Sequence, residues 1–470
     1  MSAGPARPRA AQLALELPLS QPASLPAIDL EPGWKAQQRL WGHSFHPMCS
    51  YLASFPAALT HAFIERYSRP GDVVLDPFSG RGTTPLQACA EGRIGVGNDL
   101  NPFAHLLTAA KTEPPTKAAA ITRLTTLRLA WNAGAAEWLA MAERVAAHPE
   151  TALVPQAGSR SFGAPVTTAV GEHVPTEVAL AFHTATLGQL LFVRSTLALD
   201  DRTDRFLAAA ISGILHGKSA SYLSEIMPNT FSMAPRYVRD FAQRTAFASP
   251  RRDVFDGLAS KIDRLFRQPA PRLDGIALLG DARDLAPRAQ AALRARGRPD
   301  RARLVVTSPP YLRVVKYGYY NWLRTWFLGF DAQAIDRTLD DAHHREPYLR
   351  FLRDVLAGLL PVLADDAVVV LVIGDVETDR GRAIKGGVGL ADRVWEQAAE
   401  PEGYRLAGVA LDAVAAGRKM TKLWGAEAGR ATKTDRILVL GATEAGRRRA
   451  LSGANLDVDW TWPKRSLRAL

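Results

Sequence analysis

The stretch that most constrains this chain is a short apolar run that ends in an acidic residue and a glycine-rich loop, residues 73–84. Residues 73–75 are Val-Val-Leu, the composition of a strand buried on both faces. Asp76 follows, and then Pro-Phe-Ser-Gly-Arg-Gly-Thr-Thr. Glycine permits a tight turn and close approach to a ligand, and a helix that starts near Thr84 offers free N–H groups. The pattern predicts a strand–loop–helix unit that binds a nucleotide-like cofactor; a plain turn with two glycines is the alternative.

A second stretch, residues 304–311, again places a buried strand before a group of special residues, Ser308-Pro309-Pro310-Tyr311. The two prolines fix the backbone and remove two N–H donors, so local carbonyls and the Ser308 hydroxyl remain as acceptors. Such acceptors hold the hydrogens of an amino group and aim its lone pair. Tyr311 offers a face on which a flipped base can stack. The alternative is a rigid Pro-Pro turn with a packed tyrosine.

These two stretches, LDPFSGRGTT and TSPPY, resemble the cofactor-binding and catalytic motifs of the amino-directed DNA methyltransferases. The resemblance covers about residues 41–112 and 273–441 and implies S-adenosyl-L-methionine as cofactor. It implies an α/β, doubly wound, Rossmann-like methyltransferase sheet of about seven strands, with the last strand antiparallel. The cofactor loop precedes SPPY here, whereas many family members run in the opposite order, so the chain resembles a circular permutation of them. The leading serine of SPPY favours cytosine N4 over adenine N6 as the methylated atom.

The resemblance also implies roles for individual residues. It implies catalytic roles for Ser308, Pro309, Pro310 and Tyr311. The implied cofactor-binding residues are Phe55, Asp76, Pro77, Phe78, Gly80, Gly82, Thr83, Thr84, Asp99, Asp281 and Ala282. Asp99 ends a second strand about 20 residues after the glycines, where a carboxylate accepts ribose hydroxyl protons; capping of the next helix is the alternative. The residue at the Asp281 position accepts a hydrogen bond from adenine in the family, and Phe55, with His46 before it, flanks the methionine end. Core packing is the alternative for both residues.

The cofactor strand and the third strand are separated by residues 113–272, a largely helical insertion that we expect to recognise DNA. The catalytic methyltransferase domain is then predicted to comprise residues 36–112 and 273–445. Residues 1–35 are rich in alanine and proline and are expected to form a disordered tail rather than a signal peptide. Residues 446–470 are expected to form a basic tail.

Charge favours nucleic acid as the partner. The chain carries a net charge of +11 and has a pI near 9.8, although a generally basic proteome would give the same balance. The candidate nucleic-acid-binding residues are Lys218, Arg236, Lys316, Lys419 and Lys422, with a solvated helix face as the alternative.

The same composition argues against several other classes. Cys49 and Cys89 form neither a disulfide framework nor a zinc cluster, so we expect no metal. No apolar run of about 18 residues is present, and we expect a cytoplasmic protein without a membrane partner.

Three functions stay open at this point. The first is a site-specific DNA methyltransferase that modifies an exocyclic amine, with a cognate restriction endonuclease as a partner to look for. The second is an RNA amino-methyltransferase, because Pro-Pro-Tyr corners also occur in enzymes that act on tRNA and rRNA. The third is a non-catalytic nucleic-acid-binding protein that kept the fold. The intact acidic, glycine and SPPY residues argue against the third.

Overall fold

The computed structural model describes residues 25–38, 40–51, 54–155, 171–227, 234–310, 316–339, 345–374, 378–379, 382–383, 389–413 and 434–461. None of the helices in these ranges combines the length and the apolar character needed to cross a bilayer.

The strands of the described residues are β1 (Val73–Asp76), β2 (Ile94–Asp99), β3 (Leu153–Val154), β4 (Glu172–His173), β5 (Ile276–Leu279), β6 (Ala302–Thr307), β7 (Leu363–Gly374), β8 (Thr378–Asp379), β9 (Arg382–Ala383), β10 (Arg405–Ala413) and β11 (Thr434–Gly441). The α-helices are α1 (Ala57–Tyr67), α2 (Thr83–Ala90), α3 (Pro102–Thr112), α4 (Lys117–Ala147), α5 (Thr176–Ala181), α6 (Thr184–Thr196), α7 (Arg202–Ser212), α8 (Pro235–Thr245), α9 (Val254–Leu265), α10 (Leu285–Ala295), α11 (Trp322–Leu328), α12 (Ala332–Thr338), α13 (Arg345–Leu359), α14 (Leu390–Val394) and α15 (Glu444–Ala454).

A seven-stranded sheet with the order β10-β11-β7-β6-β1-β2-β5 forms the centre of the fold. Strands β5, β2, β1, β6 and β7 run parallel, whereas β11 is antiparallel to both β7 and β10. The first strand along the chain, β1, lies inside the sheet; the sheet extends from it through β2 to β5 on one side, and the chain then returns to the other side of β1 with β6. Ligands of such sheets bind beyond the carboxyl ends of the strands where the order reverses. The expected doubly wound sheet of about seven strands, with an antiparallel last strand, is confirmed.

Alternate residues of β1 pack into different cores, as the two-residue period of a strand requires. Val73 and Leu75 pack with α10 and α13 on one face of the sheet. Val74 packs on the opposite face, in a cluster that contains residues of α1 and α15. The strand is therefore covered on both sides, which explains its continuous apolar sequence.

The insertion is helical, as expected, with α4 to α9 accounting for most of its described residues. Its core is continuous with that of the sheet's neighbouring helices. One cluster of buried side chains includes Leu86 of α2 and Phe103 of α3 together with Leu190, Phe206 and Phe255 of the insertion. The insertion therefore packs directly on the helices that follow the cofactor loop.

The described residues near both ends of the chain, where we expected tails, pack against the rest of the protein. Ile28 and Trp34 are buried, and Ala27 pairs in parallel with Val409 on the edge strand β10. Covering the unpaired backbone groups of an edge strand is a common reason for such pairing. At the other end, α15 packs on the sheet through small residues such as Ala450, a pattern too weakly apolar to be recognised as a helix in the sequence.

Candidate active site

The two motifs that define the chain meet at the carboxyl ends of the adjacent strands β1 and β6. The Thr307 hydroxyl, at the end of β6, donates a 2.6 Å hydrogen bond to Oδ1 of Asp76, at the end of β1. The Thr84 hydroxyl, in the first turn of α2, donates to the carbonyl oxygen of Val306 at 3.0 Å. The cofactor loop and the strand that carries SPPY are therefore joined by direct side-chain bonds.

Asp76 is a buried carboxyl group without an ion pair among the described residues. Burial raises its pKa to about 7, while hydrogen bonds from the Thr307 hydroxyl and the Phe78 N–H act in the opposite direction. A buried carboxyl with few compensating donors favours a cationic ligand, because a nearby positive charge stabilises the ionised form.

The glycine loop adopts a conformation that side chains rarely permit. Gly80 has φ +50° and Gly82 has φ +75°. A Cβ on Gly82 would lie 2.8 Å from the Thr108 hydroxyl and 2.9 Å from its Cα. A Cβ on Gly80 would make only an ordinary contact with the ring of Tyr51, at 3.6 Å, so the backbone there is less closely covered than at Gly82. Gly82 is thus required for packing on α3, and Gly80 for close approach by a ligand.

Asp99, at the end of β2, lies beside this loop. Its Oδ2 accepts the Gly80 N–H at 2.8 Å, and its Oδ1 accepts the Asn101 N–H at 2.9 Å. Burial raises the pKa of Asp99 to about 6. The capping role that was the alternative for Asp99 is filled by Asn101, whose side chain accepts the Phe103 N–H at the start of α3. The Leu100 N–H also bonds to Asp99. Because a carboxylate has about four acceptor sites, capacity remains for a ligand hydroxyl.

The predicted adenine-binding residues form a smaller group at the end of β5. Arg283 donates to both carboxylate oxygens of Asp281, and this hydrogen bonding lowers the pKa of Asp281. The Arg283 guanidinium lies over the ring of Phe351, 5.6 Å from its centroid. The Phe78 ring also packs against Phe351, with 5.8 Å between the two ring centroids. Ala282 is buried beneath. An adenine amino group would therefore have to share Asp281 with Arg283.

Asn98 and Arg288, which sequence reasoning missed, brace the loops at the ends of β1 and β5. The Asn98 amide nitrogen donates to the carbonyls of Pro77 at 3.1 Å and Gly280 at 3.0 Å. Arg288 donates to the Asn98 side-chain oxygen at 3.0 Å. The available signal was an asparagine that directly follows the small and apolar residues 94–97 of a strand. Such a residue must be satisfied by hydrogen bonds.

The described part of the SPPY motif lies beside β7. The Ser308 hydroxyl donates to the carbonyl oxygen of Val372 at 3.1 Å. With its proton engaged there, the hydroxyl oxygen retains lone pairs that accept hydrogen bonds. Pro309 is buried and Pro310 is half-buried, whereas Tyr311 lies outside the described residues.

The remaining predicted residues are dispersed. Phe55 is partly buried and packs on the core that contains Val74. Lys218 and Lys316 are exposed, and Arg236 lies 3.5 Å from Asp240 in an exposed ion pair. Lys419 and Lys422 lie outside the described residues. Thr83, within the first turn of α2, is buried and accepts a bond from Arg81 at 3.3 Å.

His46 belongs to a buried polar network. Its Nε2 pairs with the Gln87 side-chain oxygen at 2.8 Å, and Gln87 in turn contacts Glu91.

His61, Glu65 and Glu91 have the spacing of metal ligands within the described residues. Arg93 already lies 3.2 Å from the Glu65 carboxylate and 3.8 Å from that of Glu91, so the carboxylates have a cationic partner within the protein.

Comparisons with known proteins agree with the geometry at the cofactor end. Residues 30–110 match the model of the N6/N4 methyltransferase family, described as DNA methylase. Three type II methyltransferases are similar to part of this chain. M.MjaII of Methanocaldococcus jannaschii is 35% identical over 71 residues, which is 15% of this chain. M.Cfr9I of Citrobacter freundii is 37% identical over 71 residues (15% of this chain), and M.SmaI of Serratia marcescens is 37% identical over 84 residues (18%). The matched stretch spans only 13%, 24% and 27% of those relatives' own lengths.

Among solved structures, TrmN from Thermus thermophilus is 12% identical, with a TM-score of 0.29, over 84% of this chain and 52% of that one. The rRNA methyltransferase aviRa from Streptomyces viridochromogenes is 12% identical, with a TM-score of 0.31, over 88% of this chain and 96% of that one. At such scores the likeness supports no conclusion about activity.

Proposed function

Because residues 30–110 match the N6/N4 methyltransferase family of DNA methylases, we propose that the chain is a site-specific DNA methyltransferase acting on an exocyclic amine. The methyl donor is S-adenosylmethionine, and the acceptor is the amino group of a base flipped out of the duplex, with cytosine N4 favoured over adenine N6. The family match ends before residue 308, so the catalytic assignment depends on this chain's own SPPY motif.

The hydrogen bond from Thr307 to Asp76 is the observation that carries the proposal. It joins a loop suited to a nucleoside cofactor to a strand end suited to an amino acceptor. A methyl transfer requires donor and acceptor sites that share one cleft, because the two reacting atoms must meet in line.

The residues at the strand ends fit the chemical groups of S-adenosylmethionine. Asp99 offers carboxylate lone pairs to the two ribose hydroxyls, and the less closely covered backbone at Gly80 lets a ligand approach. Asp76 is a buried carboxyl that a cation would stabilise in its ionised form, and the cofactor carries an ammonium and a sulfonium group. Phe78 and Phe351 form an apolar surface for the adenine ring beside Asp281.

The cofactor supplies a methyl group already activated on sulfur, so the protein has only to orient the acceptor. Ser308 and the carbonyls fixed by Pro309 and Pro310 accept hydrogen bonds from the amino group, which leaves the nitrogen lone pair directed at the methyl carbon. The Ser308 hydroxyl has its proton committed to Val372, so it acts as an acceptor. No covalent cysteine intermediate is involved, because the buried Cys49 and Cys89 do not follow a proline as a catalytic Pro-Cys pair would require.

The test is transfer of labelled methyl from S-adenosylmethionine to bacterial genomic DNA lacking the modification, with Ser308→Ala and Tyr311→Ala as variants. We expect incorporation in the wild type and a loss of about 100-fold or more in both variants. Ser212→Ala is the matched control, because this buried hydroxyl also donates to a backbone carbonyl but lies in α7.

Mass spectrometry of the nucleosides then decides the base. Methyl found only on adenine would contradict the preference for cytosine. Transfer to RNA but not to duplex DNA would instead support the RNA amino-methyltransferase. A wild-type protein that fails to bind the cofactor in calorimetry would favour the non-catalytic alternative.

A further inference from the structure

Tyr51 lies between the cofactor loop and the segment that follows the SPPY motif. Its ring faces Gly80, where an added Cβ would be 3.6 Å from Tyr51 Cε1. Its hydroxyl accepts a hydrogen bond from the Asn101 amide nitrogen at 3.1 Å. On the other side, its ring stacks on Tyr317, with 5.8 Å between centroids and 19° between planes. One side chain therefore contacts both halves of the proposed site.

The contact with Asn101 connects Tyr51 to the predicted ribose acceptor. The Asn101 backbone N–H donates to Asp99 Oδ1, and the Asn101 side chain caps α3 through the Phe103 N–H. The Tyr51 hydroxyl occupies one of the amide's two N–H groups, which fixes the orientation of the side chain. Asp99 is thus held by Asn101, which bonds to the Tyr51 hydroxyl, and by Gly80, which lies next to the Tyr51 ring.

The insertion fixes the segment that ends at Tyr51. Within residues 43–51, the His43 ring contacts the Pro269 carbonyl at 2.8 Å, and the Ser44 N–H donates to the Gln268 side chain at 3.0 Å. The Lys261 ammonium of α9 donates to the Pro47 carbonyl at 3.1 Å.

Hydrophobic packing holds the same segment. The Phe45 ring packs edge-on against Phe206 and Phe266 of the insertion, with centroid distances of 5.7 and 5.2 Å. Gly213 lies so close that a Cβ there would be 1.9 Å from the Met48 carbonyl oxygen. The position of Tyr51 therefore depends on the insertion as well as on the sheet.

We propose that Tyr51 is a positioning residue for methyl transfer, which aligns the cofactor loop through Asn101 and the segment after SPPY through Tyr317. This inference rests on the proposed function, and it adds a role for the insertion that does not involve reading DNA. The two contacts are separable, because the hydroxyl makes one and the ring makes the other.

Separable contacts permit separate variants. Tyr51→Phe removes the hydroxyl and keeps the stack, and we expect it to raise the Kd for S-adenosylhomocysteine about threefold, the weight of one hydrogen bond. The single-turnover transfer rate at saturating cofactor should stay within about twofold of the wild type, since the ring stack is retained. Tyr317→Leu should show the opposite split, an unchanged Kd and a transfer rate about tenfold lower.

The double variant Tyr51→Leu/Tyr317→Leu tests the stack itself. If the two rings act as one unit, the double variant transfers methyl at about the rate of Tyr317→Leu, because either single change already removes the contact. Tyr67→Phe is the matched control, since its buried hydroxyl also makes one hydrogen bond, to the Ala450 carbonyl at 3.1 Å, on the far face of the sheet.

The outcomes separate this inference from the proposed function. The role of Tyr51 is overturned if Tyr51→Phe leaves the Kd unchanged, or if the rate losses of Tyr51→Leu and Tyr317→Leu multiply in the double variant. In either case an active wild type preserves the proposed function. A wild-type protein that neither binds S-adenosylhomocysteine nor transfers methyl overturns both. Thermal melting of each variant distinguishes a local effect from loss of the fold.

Discussion

The cofactor end of the sheet and the helical insertion hold their charges in opposite ways. At the cofactor end, Asp76 and Lys111 are buried and Asp99 is half-buried, and none of the three has an ion pair within the described residues; Lys111 donates to the Arg81 carbonyl, at 2.6 Å. In the insertion, many charged side chains are paired with one another, although the buried Lys261 ammonium donates to the Pro47 carbonyl instead. The insertion pairs are Arg123–Asp204, Arg128–Asp253, Arg239–Glu177 and Arg252–Glu225.

The difference shows where charge is available for a ligand. A salt bridge within the insertion is already neutralised and serves mainly to hold helices together, so a count of arginines overstates its basic surface. A buried carboxyl without a cation has a raised pKa and gains most from a positive ligand. We therefore expect substitutions at the cofactor end to affect activity, and those in the insertion to affect mainly stability.

Gly82→Ala should have the largest effect. The residue has φ +75° and its Cβ would collide with the Thr108 backbone, so the loop has to move. We expect destabilisation of about 2–4 kcal/mol and loss of cofactor binding. Calorimetry with S-adenosylhomocysteine and a thermal melt measure both. Gly80→Ala is the control for stability, because its φ is also positive but its Cβ would make only an ordinary contact with the Tyr51 ring, at 3.6 Å. Equal destabilisation in the two variants would refute the packing argument.

Thr307→Val should come next, because it cuts the bond between the two motifs. Asp76 would lose its shortest donor while staying buried, at a cost of about 1–3 kcal/mol, with methyl transfer reduced about tenfold or more. Since that hydrogen bond lowers the pKa of Asp76, the pH–rate profile should also move to higher pH. Thr196→Val, which removes a similar bond to the Phe192 carbonyl in α6, should leave the profile in place.

Cofactor affinity should depend on pH through the carboxyls of Asp76 and Asp99. Both pKa values are raised, to about 6 for Asp99 and about 7 for Asp76, so both groups are protonated below pH 5 and ionised above pH 8. The affinity for the cofactor should therefore rise between pH 5 and 8. Each titrating carboxyl should contribute up to about a tenfold increase per pH unit. Asp99→Asn should remove the part centred near pH 6 and retain the part near pH 7. A flat Kd between pH 5 and 8 in the wild type contradicts the assignment.

Gly134→Ala in the insertion should have the smallest effect, and in the opposite direction. Gly134 lies inside α4, and a Cβ there would have no neighbour within 4 Å. Replacement in an open helix position should stabilise the protein by about 0.5–1 kcal/mol without changing methyl transfer. The melting temperature and the transfer rate check this, and a change in rate would mean that the insertion's outer helix contributes to the reaction.

The sequence predicted the parts of the site that follow from local chemistry. An apolar β-branched run, an acidic residue and two glycines at fixed spacing were enough to predict β1, its loop and α2, and the SPPY corner predicted the end of β6. The family resemblance is confirmed at the cofactor end, over residues 30–110. The individual site residues stay predictions, to be tested by the variants above.

Other features depend on contacts between residues far apart in the chain, and these only the tertiary structure decided. Tyr51 meets Tyr317, 266 positions later in the sequence, and Asn98 meets Gly280, 182 positions later. Arg283 takes the carboxylate of Asp281, and α15 packs on the sheet through small side chains that carry no clear helical pattern.

The physical reason is the range of the interactions involved. Strand, turn and helix preferences are set by each residue and its near neighbours, so β1 and its loop could be recognised from a dozen letters. The orientation of a side chain in the site is set by whichever partner the fold brings to it, and the sequence of the segment does not contain that partner. The sequence by itself determined the cofactor loop and the sheet, and the tertiary structure decided that the insertion holds Tyr51 against them.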